Sequence, residues 1–135
     1  MTAPLVVVNP PELGAPRGFA HGIITAAGGR TLFVAGQIGT AEGASAGPDD
    51  FVTQFDRALT RVLVVVNAAG GHADQIARMT VYVTSMERYR ASRSALRDVW
   101  QRHLASHYPA MALVEVTALV DPHAMVEIEA TAVLP

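Results

Sequence analysis

The sequence predicts a two-layer α+β domain with strands and helices in the order β-β-β-α-β-α-β-β. Three observations carry that reading. Residues 126–132 alternate strictly, with Val126, Ile128, Ala130 and Ala132 on one side and Glu127, Glu129 and Thr131 on the other. Residues 51–66 instead place Phe51, Phe55, Ala58, Leu59, Val62, Leu63 and Val66 at helical spacing. A second helical stripe follows in Met86, Tyr89, Leu96, Val99, Trp100, His103 and Leu104. Two amphipathic helices covering one side of a mixed six-stranded sheet satisfy all three patterns.

Each element has its local signal. Leu5 to Val8 is a short β-branched strand, stopped by Asn9-Pro10-Pro11, and residues 12–18 form a loop rich in Gly and Pro. Phe19 to Thr25 alternates as a strand. Ala26 to Arg30 contains Gly28-Gly29, the residues of a hairpin turn, and Thr31 to Ile38 returns as the next strand. Gly36 within it marks a bulge or a close backbone approach. Residues 39–48 are a Gly/Ala/Ser-rich loop, expected to be mobile.

Asp49 and Asp50 supply an N-cap and negative charge to the first helix, which Gly70-Gly71 stops after about five turns. The Val62–Val66 run has β propensity, but the caps and the length favour helix. Ile76 to Thr84 sets Ala77, Met79, Val81 and Val83 against Arg78, Thr80 and Tyr82, as a strand does. Thr84-Ser85-Met86-Glu87 reads as the capping box of the second helix. The chain closes with two strand-like runs flanking Asp121-Pro122-His123, in which Pro122 pre-sets φ and Asp121 bonds its own backbone. Read as a pair, these runs gather Glu115, Glu127 and Glu129 on one face with Phe33, Tyr82, Met111 and Leu113. That face is too apolar for water and too polar for a core, so it needs a partner.

Composition narrows the function. The 135 residues make a single domain, half apolar and 16% charged, with a net charge of −2 and ten Lys/Arg that form no basic stripe. With no cysteine, disulfides, thiolate catalysis and thiolate metal sites are excluded. The first residues carry no basic n-region, and their apolar run is too short for a signal or a membrane span. The expectation is a cytoplasmic protein with no membrane or nucleic-acid partner and no cofactor.

Several motifs, in order, resemble the RidA/YjgF family, the reactive-intermediate deaminases also called L-PSP endoribonucleases. They are Val34-Ala35-Gly36-Gln37-Ile38-Gly39, Gln54 with Ala68-Ala69-Gly70-Gly71, Met79-Thr80-Val81-Tyr82-Val83, Tyr108-Pro109-Ala110 and Val126-Glu127-Ile128-Glu129-Ala130, spanning residues 18–133. The resemblance implies a chorismate-mutase-like fold, a homotrimer whose sheets line a central barrel, and small-molecule clefts at subunit interfaces. It also implies hydrolysis of amino-acid-derived enamines and imines. In the family an arginine after Pro-Ala clamps the substrate carboxylate and the first glutamate of the closing strand handles water. Here that glutamate is Glu127, but the arginine position holds Met111, Phe19 replaces a tyrosine, Ala35 a serine, and Arg93 an asparagine. A thioether cannot form the bidentate pair that a guanidinium makes with a carboxylate.

The candidate site is therefore Glu127 as base for water, with Phe19, His21, Ala35, Gly36, Gln37, Arg93, Met111 and Leu113 as ligand-binding positions. Met111, Leu113 and Phe19 would form an apolar wall. Arg93 has two readings, a solvated helix residue or a replacement clamp. Glu115 and Glu129 read as structural. His103 and His107, at i and i+4, have metal-ligand spacing, but histidine is favoured at a helix C-terminus and no acid follows; no metal site is assigned. Three functions fit unequally: an enamine/imine hydrolase, a non-catalytic ligand-binding or sensing module of the same fold, and, least, an endoribonuclease, for which no basic groove or aromatic platform is present.

Overall fold

A computed structural model describes residues 5–41 and 50–135. Residues 42–48 of the glycine-rich loop and Asp49 of the expected cap lie outside the described residues. Among the described residues six strands, β1 (Val6–Val8), β2 (Gly22–Ile24), β3 (Arg30–Ile38), β4 (Ile76–Val83), β5 (Ala110–Glu115) and β6 (Val126–Leu134), combine with three α-helices, α1 (Phe51–Ala68), α2 (Met86–Ala91) and α3 (Arg93–Leu104). The α+β class stands. The six strands are hydrogen-bonded as two sheets, a β1-β2 ribbon and a four-stranded sheet in the order β3-β6-β4-β5. A single parallel bridge, Ala20 to Ala110, ties the chain leading into β2 to the start of β5.

Two expected hairpins do not form. Gly28 adopts a positive φ of 83°, as the turn requires, yet β2 pairs with β1 while β3 pairs with β6. The two closing strands are also not neighbours: β4 lies between them, parallel to β5 and antiparallel to β6. The Asp121-Pro122-His123 turn itself is as expected. Asp121 Oδ1 accepts from His123 N at 2.8 Å, and Ala124 N donates to Asp121 O at 3.1 Å. It ends a ten-residue crossing rather than joining adjacent strands. The long strand read from Phe19 to Thr25 contracts to Gly22–Ile24, and the loop before it contains a 3-10 turn at Pro11–Leu13.

Helix α1 runs as its periodicity predicts. Asp50 caps it by accepting from Thr53 N at 2.7 Å, and Phe51, Phe55, Ala58, Leu59, Val62 and Val66 are buried. Gly70, at φ 84°, and Gly71 close it in a Schellman arrangement, donating to the carbonyls of Asn67 at 3.0 Å and Val66 at 2.9 Å. The β propensity of Val62–Val66 yields to this amphipathic burial; Val64, on the far side, is 60% exposed. The second helix is broken in two. Ser85, not Thr84, is its N-cap, accepting from Arg88 N at 3.2 Å; N3 is then Arg88, an acceptor-free side chain, so the expected capping box does not form. At Ser92 the hydroxyl bonds back to Arg88 O at 2.8 Å and the chain restarts as α3.

The core lies between the helices and one side of the sheet, where Val34, Met79, Val81, Val126, Ile128 and Ala130 meet Leu59, Val62, Leu96, Val99 and Trp100. Trp100 stacks on Tyr108 at 5.8 Å and donates to His107 O, fixing the passage into β5. His103 Nε2 meets Asp56 Oδ1 at 2.5 Å and His107 Nε2 meets Ile76 O at 2.7 Å. Both histidines are thus engaged within the fold.

Candidate functional site

The alternation of β6 sends Glu127, Glu129 and Thr131 to the side of the sheet away from the helices, each half-buried. Register with β4 sets Glu127 beside Tyr82, Glu129 beside Thr80 and Thr131 beside Arg78. On the other flank Phe33 pairs with Thr131 and is 79% exposed. This side is bare, as expected for Phe33, Tyr82, Glu127 and Glu129.

Glu115, Met111 and Leu113 are not on it. In parallel register Met111 lies beside Met79, Leu113 beside Val81 and Glu115 beside Val83, all three partners being core residues on the helix side. Met111 and Leu113 pack against the core, and Glu115 Oε1 accepts from Met86 N at 2.8 Å, at the start of α2. The expected three-carboxylate face therefore holds two. Residues 110–115, AMALVE, are apolar on both sides, so their alternation carries no polarity to say which side faces the helices.

The two remaining carboxylates differ. Glu129 Oε1 accepts from the Tyr82 hydroxyl at 2.6 Å, and this bond, with partial burial and the negative charges of Glu129 and Glu127, raises the Tyr82 phenol above its ordinary value of 10.0. Glu127 makes no hydrogen bond or ion pair with any described residue. It lies instead over Gly36. Strand β3 has one extra residue between Val34 and Gln37, a bulge opposite Glu129, and a Cβ added at Gly36 would come within 2.8 Å of Glu127 Cδ. Both readings of Gly36, bulge and close approach, hold together. Ala35 and Gly36 are exposed beside the carboxylate, and Gln37 Nε2 donates to Ala35 O at 3.1 Å, steadying the bulge.

Behind the bulge the backbone is pinned to α1. A Cβ at Gly39 would sit 2.6 Å from Gln54 Cα, so only glycine fits there. Arg61 donates to the carbonyls of Ile38 at 2.6 Å and Thr40 at 2.8 Å. Gln54, buried, donates to His123 O and accepts from Met125 N, holding the lead into β6 and hence Glu127.

The other nominated positions gather at the opposite edge. Phe19 and His21 flank the Ala20 bridge to β5 and meet edge-to-face at 5.1 Å. His21 Nε2 lies 3.2 Å from Gly14 O, and its backbone N donates to Asn9 Oδ1 at 2.8 Å. Met111 follows on β5. Arg93 opens α3, exposed, with its guanidinium 5.9 Å from the Tyr89 ring centre. The set thus divides into Ala35, Gly36, Gln37 and Glu127 on β3 and β6, and Phe19, His21, Met111 and Leu113 along β5. Strands β3 and β5 are the two edges of the four-stranded sheet, three strand spacings or roughly 14 Å apart.

A cavity of about 180 Å³ opens in the bare face, lined by Phe33, Arg78, Thr80, Glu129 and Thr131 among others. It adjoins Glu129 rather than Glu127 and none of the nominated ligand-binding residues lines it. The alternation Arg78, Thr80, Tyr82 in β4 was the available signal for this cluster; its meeting with Glu129 depended on a strand order that alternation does not specify. Among the described residues no group of His, Asp and Glu is arranged to hold a metal, and no helix is long and apolar enough to cross a membrane.

Comparison with known proteins matches the Endoribonuclease L-PSP family over residues 12–134. A goat (Capra hircus) 2-iminobutanoate/2-iminopropanoate deaminase is 33% identical over 106 residues, covering 77% of this chain and 73% of that protein. Among solved structures, YyfB of Yersinia pestis, a protein of unknown function of the conserved Rid family, superposes with a TM-score of 0.84 at 28% identity, covering 98% of this chain and all of that one. TdcF of E. coli with bound serine gives 0.67 at 29% identity, over 90% and 92% of the two chains.

Proposed function

The chain belongs to the RidA/YjgF family, the family of the endoribonuclease L-PSP description, and on that premise we propose that it binds a small conjugated metabolite in clefts between copies of a homotrimer and hydrolyses an enamine or imine there. Glu127 is the base. Its carboxylate takes a proton from water as the oxygen adds to the C=N carbon and returns it to nitrogen; the resulting carbinolamine releases ammonia and leaves a carbonyl. The observation that carries this reading is the contrast among the three carboxylates. Glu115 and Glu129 are held by Met86 N and Tyr82, whereas Glu127 is half-buried, unpartnered and beside the exposed backbone of Gly36.

The split of the nominated residues supports the inter-copy cleft. Glu127, on interior strand β6, and Met111, on edge strand β5, are separated by β4 and lie on opposite sides of the sheet, so they do not converge within one chain. The β3/β6 end of one copy can instead meet the β5 edge of another. Phe19 and Met111 then offer an apolar wall with no cation, which suits a substrate less charged than the imino acids named for the goat relative. Met111 also supports the second reading, a ligand-binding module without catalysis, because the family's carboxylate clamp is missing.

A reciprocal substitution tests both. Wild-type protein is expected to release negligible pyruvate from 2-iminopropanoate generated in situ, and Met111→Arg to gain hydrolysis. The gain is expected to vanish in the Met111→Arg/Glu127→Gln double variant, since an amide cannot accept the water proton. A Met111→Arg protein that folds, trimerises and binds carboxylates yet hydrolyses nothing would put the binding module first.

A further inference from the structure

Besides Glu127, the bare face carries a cation, Arg78, and an anion, Glu129, that do not use each other. Arg78 and Glu129 line the same cavity of about 180 Å³, yet no ion pair joins them, and Arg78 has no hydrogen-bond or ionic partner among the described residues. Tyr82 occupies Glu129 Oε1 and so aims the carboxylate, leaving Oε2 open. Phe33 stands beside them at 79% exposure, an apolar surface that water does not favour.

We infer that Arg78 of one copy pairs with Glu129 of the partner subunit, and that this ion pair, repeated around the ring, specifies how the bare faces associate. The inference rests on the trimeric reading above and adds the contact that selects it. A single chain presents both halves of the pair on one face. A head-to-tail contact then satisfies each cation and each anion once per turn of a closed ring. The cavity between Phe33 and Thr131 gives the incoming guanidinium room, and the Tyr82 bond spares Glu129 part of the cost of being fixed. Partly desolvated charge pairs of this kind act mainly on specificity, because like charges brought together on a mismatched face repel strongly.

Charge reversal tests the pair. By light scattering at micromolar concentration, wild-type chain is expected as a trimer, Arg78→Glu and Glu129→Arg each as a monomer with unchanged far-ultraviolet circular dichroism, and the double reversal as a trimer again. Single variants that stay trimeric, or a double variant that stays apart, would overturn the pairing. Should a reversed variant fail to fold, Arg78→Gln and Glu129→Gln serve instead. Each is expected to weaken the trimer and flatten its dependence on salt, and an unchanged salt dependence would overturn the pairing equally. A wild-type monomer would instead refute the trimeric cleft itself, an outcome distinct from a trimer indifferent to the swap.

Discussion

On the helix-covered side of the sheet Val34, Met79, Val81, Ile128 and Ala130 are sealed against α1 and α3, while one residue further along the same strands the open side presents Phe33, Arg78, Thr80, Glu127 and Glu129. The covered side is filled by its own chain and is saturated with partners. On the open side hydrogen-bonding groups are used selectively: Tyr82 takes Glu129, and Glu127 is left over a bare glycine. What distinguishes the held carboxylate, Glu129, from the unheld one, Glu127, is not sequence position, since both lie two residues apart on β6. It is whether a cross-strand neighbour claims it.

The largest expected difference between the sides is in stability. Ile128→Ala removes a fully buried side chain from the covered side and should cost about 2–5 kcal/mol of unfolding free energy. Glu127→Gln, one position away, should change it by less than about 0.5 kcal/mol. Urea unfolding of the two variants at equal protein concentration checks this; comparable losses would mean that the open side is as structurally committed as the core.

A smaller effect isolates the Tyr82–Glu129 bond. The phenol of Tyr82 is raised above 10.0 chiefly because it donates to Glu129, with burial and the charges of Glu129 and Glu127 adding to it. A raised acid contributes stability that is complete below the ordinary phenol value and is lost as pH climbs through the folded-state value. In Glu129→Gln the alkaline absorbance transition of Tyr82 should move back down toward 10.0. An unmoved transition would mean that the hydrogen bond does not hold Glu129.

Strand β6 could be read residue by residue because polar and apolar residues alternate strictly from Val126 to Ala132, and α1 because both caps and a continuous stripe agree. Strand β5 could not. Ala110, Ala112 and Val114 are as apolar as Met111 and Leu113, so only pairing with β4 settles which set faces the helices. Gly28-Gly29 and Asp121-Pro122-His123 were legible as turns but silent about which strands they would bring together, since turn chemistry is local and strand order is not. Glu127 was legible through its motif. Its freedom, and the capture of Glu129 by Tyr82, came from register. Ser92, which breaks the second helix, is a tolerated helix residue whose back-bonding to Arg88 O nothing in the periodicity marks.

The central claim is that one copy supplies Glu127 and another the β5 edge. Subunit mixing tests it most directly. The Met111→Arg/Glu127→Gln chain and the wild-type chain are each expected to be nearly inactive on 2-iminopropanoate, the first for want of a base and the second for want of a clamp. Denatured together, refolded and reassembled, they should form mixed trimers in which an introduced guanidinium faces an intact Glu127, and pyruvate release should rise well above the sum of the separate chains. A mixture no more active than that sum, from chains shown to co-assemble and with Met111→Arg alone active, would place both groups in one chain and contradict the shared cleft.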